Sequence, residues 1–222
     1  MSRGVLFIAW EAADNAAALA RAIAALETGH PGLPHHVARM PGTPSTLDKV
    51  CLPELSPFAT TAYLDDDARV LGRLEFGFEM AERYGLACCH NDNPWRRRHL
   101  GIASDAPEYD TGVLFFSAAA KPVFDAWRRV APLATAPIVA VEDGTIRQLP
   151  ADGRLGFAQA LDACAVAPLI LPLNWSLRPR FHRSFYGPVK IWHGEAVPEA
   201  VRALNRYYEQ PDAIIQFHEL AS

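Results

Sequence analysis

Three consecutive carboxylates, Asp65-Asp66-Asp67, follow directly on the apolar run Ala62-Tyr63-Leu64. Like charges on neighbouring residues repel, and carboxylates at the end of a buried strand lose hydration, so the cluster requires a compensating cation or strong hydrogen-bond donors. A bound divalent metal is the economical answer. Side chains at i and i+2 of an extended segment share a face, so Asp65 and Asp67 can offer oxygens to one ion while Asp66 points elsewhere. Mn2+ or Mg2+, both oxygen-preferring, suits such a pair. The plainer alternative is a solvated loop after an edge strand, against which the buried character of residues 59–64 argues.

The elements that position these groups can be read from periodicity and breakers. Residues 5–10 read as a strand, and Asp14 sits where it would cap a helix over the Ala-rich residues 15–26. Gly29, Pro31, Gly32 and Pro34 interrupt before a strand at 35–40, and Pro41-Gly42-Thr43-Pro44 interrupts again. Ser45 or Thr46 caps a short helix reaching residue 55, and a strand at 59–64 runs into the acidic cluster. An amphipathic helix over 74–84, with Phe76 and Met80 on one face, leads to a strand at 86–90. The polar stretch 91–109 reads as a long loop, a length more typical of a binding element than of a minimal connection. It includes Arg96-Arg97-Arg98-His99, whose simplest reading is a solvated basic turn. The most clearly buried strand is 111–117, followed by a helix that Pro122 opens and that extends to 129. A helix at 154–163, strands at 166–171 and 189–192, and a helix at 198–209 complete the pattern. Strands alternating with helices imply an α/β sheet covered on both faces, in one domain spanning residues 1–222.

The 222 residues are 50% hydrophobic, enough to build a large core, and the formal net charge of -4 gives no basic face for nucleic acid. Cys51, Cys88, Cys89 and Cys164 show no CxxC spacing, so reduced thiols in a cytoplasmic protein are expected. Cys88-Cys89-His90 offers soft ligands, but strand neighbours point to opposite faces, which favours burial over a zinc site. No apolar run reaches the roughly 18 residues of a membrane span.

Three further segments fall into order with the acidic cluster. Leu47-Asp48-Lys49-Val50 and Ser56-Pro57-Phe58 precede it; Tyr109-Asp110-Thr111-Gly112-Val113 and Tyr186-Gly187-Pro188-Val189-Lys190-Ile191-Trp192-His193-Gly194 follow. In this order the chain resembles the nucleotide-sugar glycosyltransferases of the GT-A fold, in particular the glycogenin-like group of glycosyltransferase family 8. The resemblance implies a Rossmann-like, mixed but mostly parallel sheet flanked by helices on both faces. It implies that Asp65, Asp67 and His193 ligate the metal and that Asp66 faces the ribose. Lys49 would lie near the nucleotide, Ile8, Ala9, Trp10 and Glu11 would hold the uracil end, and Thr111 and Gly112 would lie under the donor sugar. Asp110, standing in place of an asparagine, and Asp152, from a reduced Asp-Gln pair, are the candidate catalytic carboxylates.

The implied activity is metal-dependent transfer, with retention, of a sugar from a UDP-sugar to a hydroxyl acceptor. A divalent ion bridging diphosphate oxygens stabilises the charge that develops as the glycosidic bond breaks. For single residues plainer roles stand alongside: a surface lysine at 49, a helix cap at Asp152, a hydrogen-bonded structural imidazole at 193. Trp175, Arg178, Arg180, His182 and Arg183 form a polar-aromatic segment suited to stacking on a sugar ring. Departures from the family at Asn15 (usually aromatic), at Gly153 and after His193, where no Lys-Pro-Trp follows, motivate an alternative. In it the chain is a catalytically weakened sugar-nucleotide-binding protein. Paired aspartates on an α/β sheet also admit, in third place, a metal-dependent nucleotidyltransferase or phosphohydrolase.

Overall fold

The computed structural model describes residues 2–12, 15–91, 107–134, 136–139, 146–149, 153–194 and 196–220. A six-stranded sheet forms its centre, in the order β2-β1-β3-β6-β5-β9. These strands are β1 (Arg3–Trp10), β2 (His35–Met40), β3 (Thr60–Leu64), β5 (Leu86–His90), β6 (Tyr109–Ser117) and β9 (Leu169–Leu171). β1 pairs in parallel with both β2 and β3, and β5 with β9, whereas β6 is antiparallel to β3 and to β5. Five strands therefore point one way and β6 alone runs against them. That reversal brings the start of β6 to the edge where β1, β3 and β5 end.

Alternation along the strands builds two apolar layers. Val5, Phe7, Ala62, Leu64, Val113 and Phe115 face α1 (Ala16–Gly29), through Leu19, Ala22 and Leu26, and α3 (Glu75–Tyr84), through Phe78 and Ala81. Leu6, Ile8, Tyr63, Leu114 and Phe116 face the other way, onto Phe124 and Trp127 of α4 (Lys121–Val130) and Phe157 of α5 (Gly153–Ala163). Both faces are thus covered, as the strand–helix alternation requires. Cys88 and Cys89 divide between the two layers, each buried. A smaller apolar cluster joins Leu177, Phe185, Val189, Trp192 and Val201, the last on α6 (Glu199–Tyr207). Among the described residues no helix is long and apolar enough to cross a membrane.

The sequence pattern misassigns one helix face and misses several short strands. Phe76 is 47% exposed, and α3 buries Gly77, Phe78 and Ala81 instead of the Phe76–Met80 stripe. The reason is Gly77: lacking a Cβ, it lets the helix settle on the Phe115 ring and so fixes its rotation. The three-residue strands β4 (Ala68–Val70), β10 (Ser184–Tyr186) and β12 (Phe217–Glu219) give no periodic signal, nor does the pair β7 (Ala136–Val139) and β8 (Ile146–Leu149). Strand β11 (Ile191–His193) begins two residues later than expected and includes the histidine. The readings at Asp14, Asp152 and Arg96 to His99, and the loop at 92–106, lie outside the described residues.

Gly77→Ala sets two magnitudes against each other. A Cβ there would meet the Phe115 ring at 2.6 Å, and that ring is fully buried between Phe78 and Trp175. Overpacking of this kind costs about 1–3 kcal/mol, against the roughly 1 kcal/mol that alanine contributes over glycine in a helix. Urea unfolding is expected to register a net loss of stability; a gain would mean that Phe115 yields freely.

Candidate active site

Tyr63 and Leu64 carry β3 to the sheet edge, where the Asp65 amide donates to the Gly112 carbonyl at 2.9 Å and prolongs the ladder with β6. The chain then turns instead of staying extended: the Ala68 amide bonds back to the Asp65 carbonyl at 3.0 Å. This corrects the strand-based argument for the acidic cluster, yet the division of side chains survives. Asp65 and Asp67 each direct an oxygen to the Arg178 guanidinium, both at 3.9 Å, whereas Asp66 accepts a hydrogen bond from the Asn15 side chain at 2.7 Å.

The turn ends in β4, which pairs antiparallel with β11 and sets His193 opposite Ala68. That pairing places His193 Nδ1 3.0 Å from Asp67 Oδ1, with the imidazole only 3% exposed. Residues 176–178 lie alongside β11, held by Leu177 N–H to the Ile191 carbonyl and by His193 N–H to the Leu177 carbonyl. Leu177 enters the small apolar cluster, and its two neighbours Ser176 and Arg178 reach the other way, to Asp110. The start of β6 is thereby tied to the same constellation.

Lys49 enters from the opposite side. A capping box between Ser45 and Asp48 fixes the 3-10 turn Thr46–Cys51, and the Trp10 indole N–H binds the same Asp48 carboxylate at 2.7 Å. Lys49 is consequently buried, its Nζ 2.6 Å from Asp65 Oδ1 and 3.1 Å from the Thr111 carbonyl. It is no surface lysine. Tyr63 donates its hydroxyl to the same Asp65 oxygen at 2.8 Å, and burial, reinforced by that carboxylate, pushes the phenol pKa well up and keeps the proton in place.

Asp110 is the most enclosed carboxylate of the group, 4% exposed. It accepts from the Ser176 hydroxyl, from the Gly112 amide at 2.9 Å and from Arg178 at 3.3 and 3.4 Å. Burial alone would raise its pKa. The charges of Arg178 and His193 and the two hydrogen bonds outweigh that and hold it well below the usual carboxylate range. Asp67 is lowered more gently, burial again opposing and the His193 hydrogen bond and Arg178 prevailing. Gly112 suits the crowding: a Cβ there would press on the end of the Arg178 side chain and lie 2.6 Å from Asp65 Oδ2.

The structure thus assembles Lys49, Asp65, Asp67, Asp110, Thr111, Gly112 and His193 at one sheet edge, and adds Tyr63, Ser176 and Arg178. Asp66 sits in the same turn but is tied to Asn15. Of the proposed uracil-end residues, Ile8 has its side chain in the apolar layer, Trp10 is bound to Asp48, and Glu11 is exposed beyond the strand end. Trp175 belongs to the core, stacked edge-on against Phe115 and 4% exposed, so it is no sugar platform. Ser176 carries no motif of its own, and Arg178 gains meaning only through its register beside β11.

The group that the resemblance implies is a divalent ion. As the side chains stand, no three His, Cys, Asp or Glu residues among those described close around one point. The donor chemistry nevertheless fits. Ser176 commits its single proton to Asp110, so at its contact with His193 Nε2 (3.1 Å) it accepts, which places the imidazole proton on Nε2. Nδ1 is left facing the Asp67 carboxylate, where it carries either a second ring proton, which makes the contact an ion pair, or a metal ion shared with Asp67. The second oxygens of Asp65 and Asp67 face the same region, where Arg178 is the cation at hand.

No protein-family model matches the chain, and no curated protein matches it. Solved structures do. The galactosyltransferase LgtC, determined in complex with donor and acceptor sugar analogs, superposes with a TM-score of 0.55 at 14% identity, over 87% of this chain and 87% of that one. Mouse xyloside xylosyltransferase 1 gives 0.59 at 12% identity, over 89% and 100%. The bifunctional glycosyltransferase WbbM gives 0.58 at 9% identity, over 88% of this chain and 46% of the other. The chain has the GT-A glycosyltransferase fold. Identities this low carry the fold and nothing finer.

Asp110→Asn probes the buried pair. Leaving Arg178 without its carboxylate should cost roughly 3–5 kcal/mol at neutral pH, measured by urea unfolding. The pH dependence has a definite sign, because a depressed folded pKa gives stability that is complete above the unfolded value, about 3.9, and is lost as pH falls below it toward the folded pKa. Below about pH 4 the wild-type slope should therefore exceed that of the variant by up to one proton, about 1.4 kcal/mol per pH unit. Equal acid slopes would show Asp110 to be no more acidic in the fold than in the unfolded chain.

Proposed function

We propose that the protein is a glycosyltransferase that moves a sugar from a nucleotide diphosphate donor, a UDP-sugar, to a hydroxyl acceptor, using Mn2+ or Mg2+. The carrying observation is the pairing of His193 Nδ1 with Asp67 Oδ1 beside Asp65: Ser176 and Asp110 occupy Nε2, so Nδ1 is left to share either a proton or a metal ion with Asp67. Charge supports the same reading: Lys49 pairs with Asp65 and Arg178 with Asp110, so the cations paired with these carboxylates are already engaged, and a bound anion needs further compensation. The GT-A fold supports the reaction class, and glycogenin-like kinship with retention of configuration is the finer form of the proposal.

In this arrangement Asp65, Asp67 and His193 would hold the ion, which when bound supplies positive charge to the departing diphosphate. The chain's own residues do the positioning. Lys49 and Tyr63 pin one oxygen of Asp65 and so orient the other toward the site. Ser176 sets the His193 tautomer, and Asp110 sets Ser176. Gly112 leaves the space beside the start of β6 to the ends of the Arg178 and Asp65 side chains, under the place where the donor sugar would lie. Asp110 is fully engaged by three donors, so its part is to position, and Asp152 remains the second candidate carboxylate. Lys49 would add charge beside the nucleotide.

The experiment is turnover of a panel of UDP-hexoses and UDP-pentoses with Mn2+, read as UDP released by hydrolysis or transfer. Release is expected with at least one donor, and Asp67→Asn and His193→Ala are expected to lower Mn2+ affinity on the order of 10–100-fold while the far-ultraviolet circular dichroism stays native. UDP binding without any release would favour the sugar-nucleotide-binding alternative. Absence of UDP binding with and without Mn2+ would end the donor assignment.

A further inference from the structure

We propose that Arg178 is an internal counter-ion that competes with the divalent ion for Asp65 and Asp67, so that metal and nucleotide diphosphate bind cooperatively by displacing it together. This rests on the metal-dependent reading above and adds to it an occupant that the ion must move. The Arg178 fork spans the pair: Nη2 lies 3.9 Å from Asp65 Oδ2 and Nη1 lies 3.9 Å from Asp67 Oδ2. A divalent ion shared by two carboxylates sits about 2.0–2.6 Å from their oxygens, so it and the guanidinium need the same space. Two cations cannot hold it at once.

The side chain is built to give way without leaving. Its contacts with Asp65 and Asp67 are longer than hydrogen bonds, whereas Nη2 is 3.3 and 3.4 Å from the two oxygens of Asp110. Asp110 is itself buried and held by Ser176 and the Gly112 amide, so it forms the fixed end of the pair. Beside it opens a cleft of only about 40 Å³ that Arg154 and His182 also line, so the guanidinium's movement is a pivot about Asp110 and not a retreat into the cleft. A diphosphate completes the exchange. It offers the planar fork a bidentate pair of phosphate oxygens in place of the two carboxylates surrendered to the ion. By linkage, whatever factor the nucleotide gives to metal affinity the metal returns to nucleotide affinity.

The test is Mn2+ binding followed by electron paramagnetic resonance, with and without UDP, on the wild type, Arg178→Gln and Arg178→Lys, each checked for a native melting transition. In the wild type UDP should tighten Mn2+ binding at least tenfold, within the range usual for coupled sites. Arg178→Gln should tighten Mn2+ binding without UDP by about tenfold and shrink the effect of UDP correspondingly. Arg178→Lys keeps the charge and the Asp110 partner but lacks the fork, so it should fall between the two and fold even where the glutamine variant does not. Unchanged or weaker Mn2+ binding in both variants would overturn the proposal, and so would wild-type Mn2+ binding that UDP does not alter. A protein that binds UDP but no Mn2+ in any form would remove the metal reading and this inference together, leaving the donor reading standing. Tighter Mn2+ binding in the variants without any UDP binding would likewise overturn the coupled exchange and would remove the donor reading, leaving the metal reading standing.

Discussion

Charge compensation at the end of β3 is the constraint on which the rest of this site depends. Four carboxylates converge where β3 ends and β6 begins, and Lys49 and Arg178 reach them from different parts of the chain. Lys49 comes from a capped 3-10 turn on one side of the sheet edge and Arg178 from the segment beside β11 on the other. Each is enclosed by the structure around it, and each brings a remote segment to the edge. Buried pairs of this kind contribute little net stability compared with apolar packing, because desolvation offsets the attraction. Their worth is positional: removing either cation leaves an expensive uncompensated anion, so alternative arrangements of these loops are penalised.

The antiparallel β6 is the topological device that makes the convergence possible. In a fully parallel sheet, ligand sites draw on the loops after the strands, with strand starts at the opposite edge. Here one reversed strand delivers its first residues, Asp110, Thr111 and Gly112, to the same edge as the end of β3. Backbone groups then take part directly, since the Thr111 carbonyl accepts from Lys49 and the Gly112 amide donates to Asp110. Gly112 fits where any larger residue would strike Arg178, so the strand start becomes a floor for a ligand.

How legible the sequence was follows from the range of each interaction. The central strands and most helices were readable because burial on two faces imposes local periodicity: Val5, Phe7 and Leu64 against Leu6, Ile8 and Tyr63 is a pattern visible without coordinates. Asp65 to Asp67 stood out for the same local reason, as charge abutting an apolar run. Phe76 was misassigned because the rotation of α3 is decided by Gly77 resting on Phe115, a contact 38 positions away in the chain. Ser176 was not legible as a site residue, and Arg178 was legible only as part of a segment suited to a sugar ring, not as the partner of Asp110. Their role comes from bonds to Ile191 and His193 and from the antiparallel pairing of β4 with β11, two three-residue strands too short to carry a pattern.

Asp110 and Arg178 are best understood together with what the chain lacks after His193. In the glycogenin-like group that the sequence resembles, a Lys-Pro-Trp follows the histidine, whereas this chain continues as Gly194-Glu195-Ala196 with no Lys-Pro-Trp after it. A diphosphate bound at the sheet edge would therefore miss one cation of the usual set. An arginine reaching in from the segment beside β11 restores the charge, but a lone guanidinium among Asp65 and Asp67 would simply collapse onto them. A buried carboxylate at position 110, where the family carries a neutral amide, gives it a permanent partner set back from the metal carboxylates. On the proposed reading the two substitutions compensate one another: Asp110 holds Arg178 near the diphosphate position, and Arg178 makes a charge at 110 tolerable in the interior. Either residue alone would be a liability, which is why the pair, rather than the acidic cluster by itself, distinguishes this site.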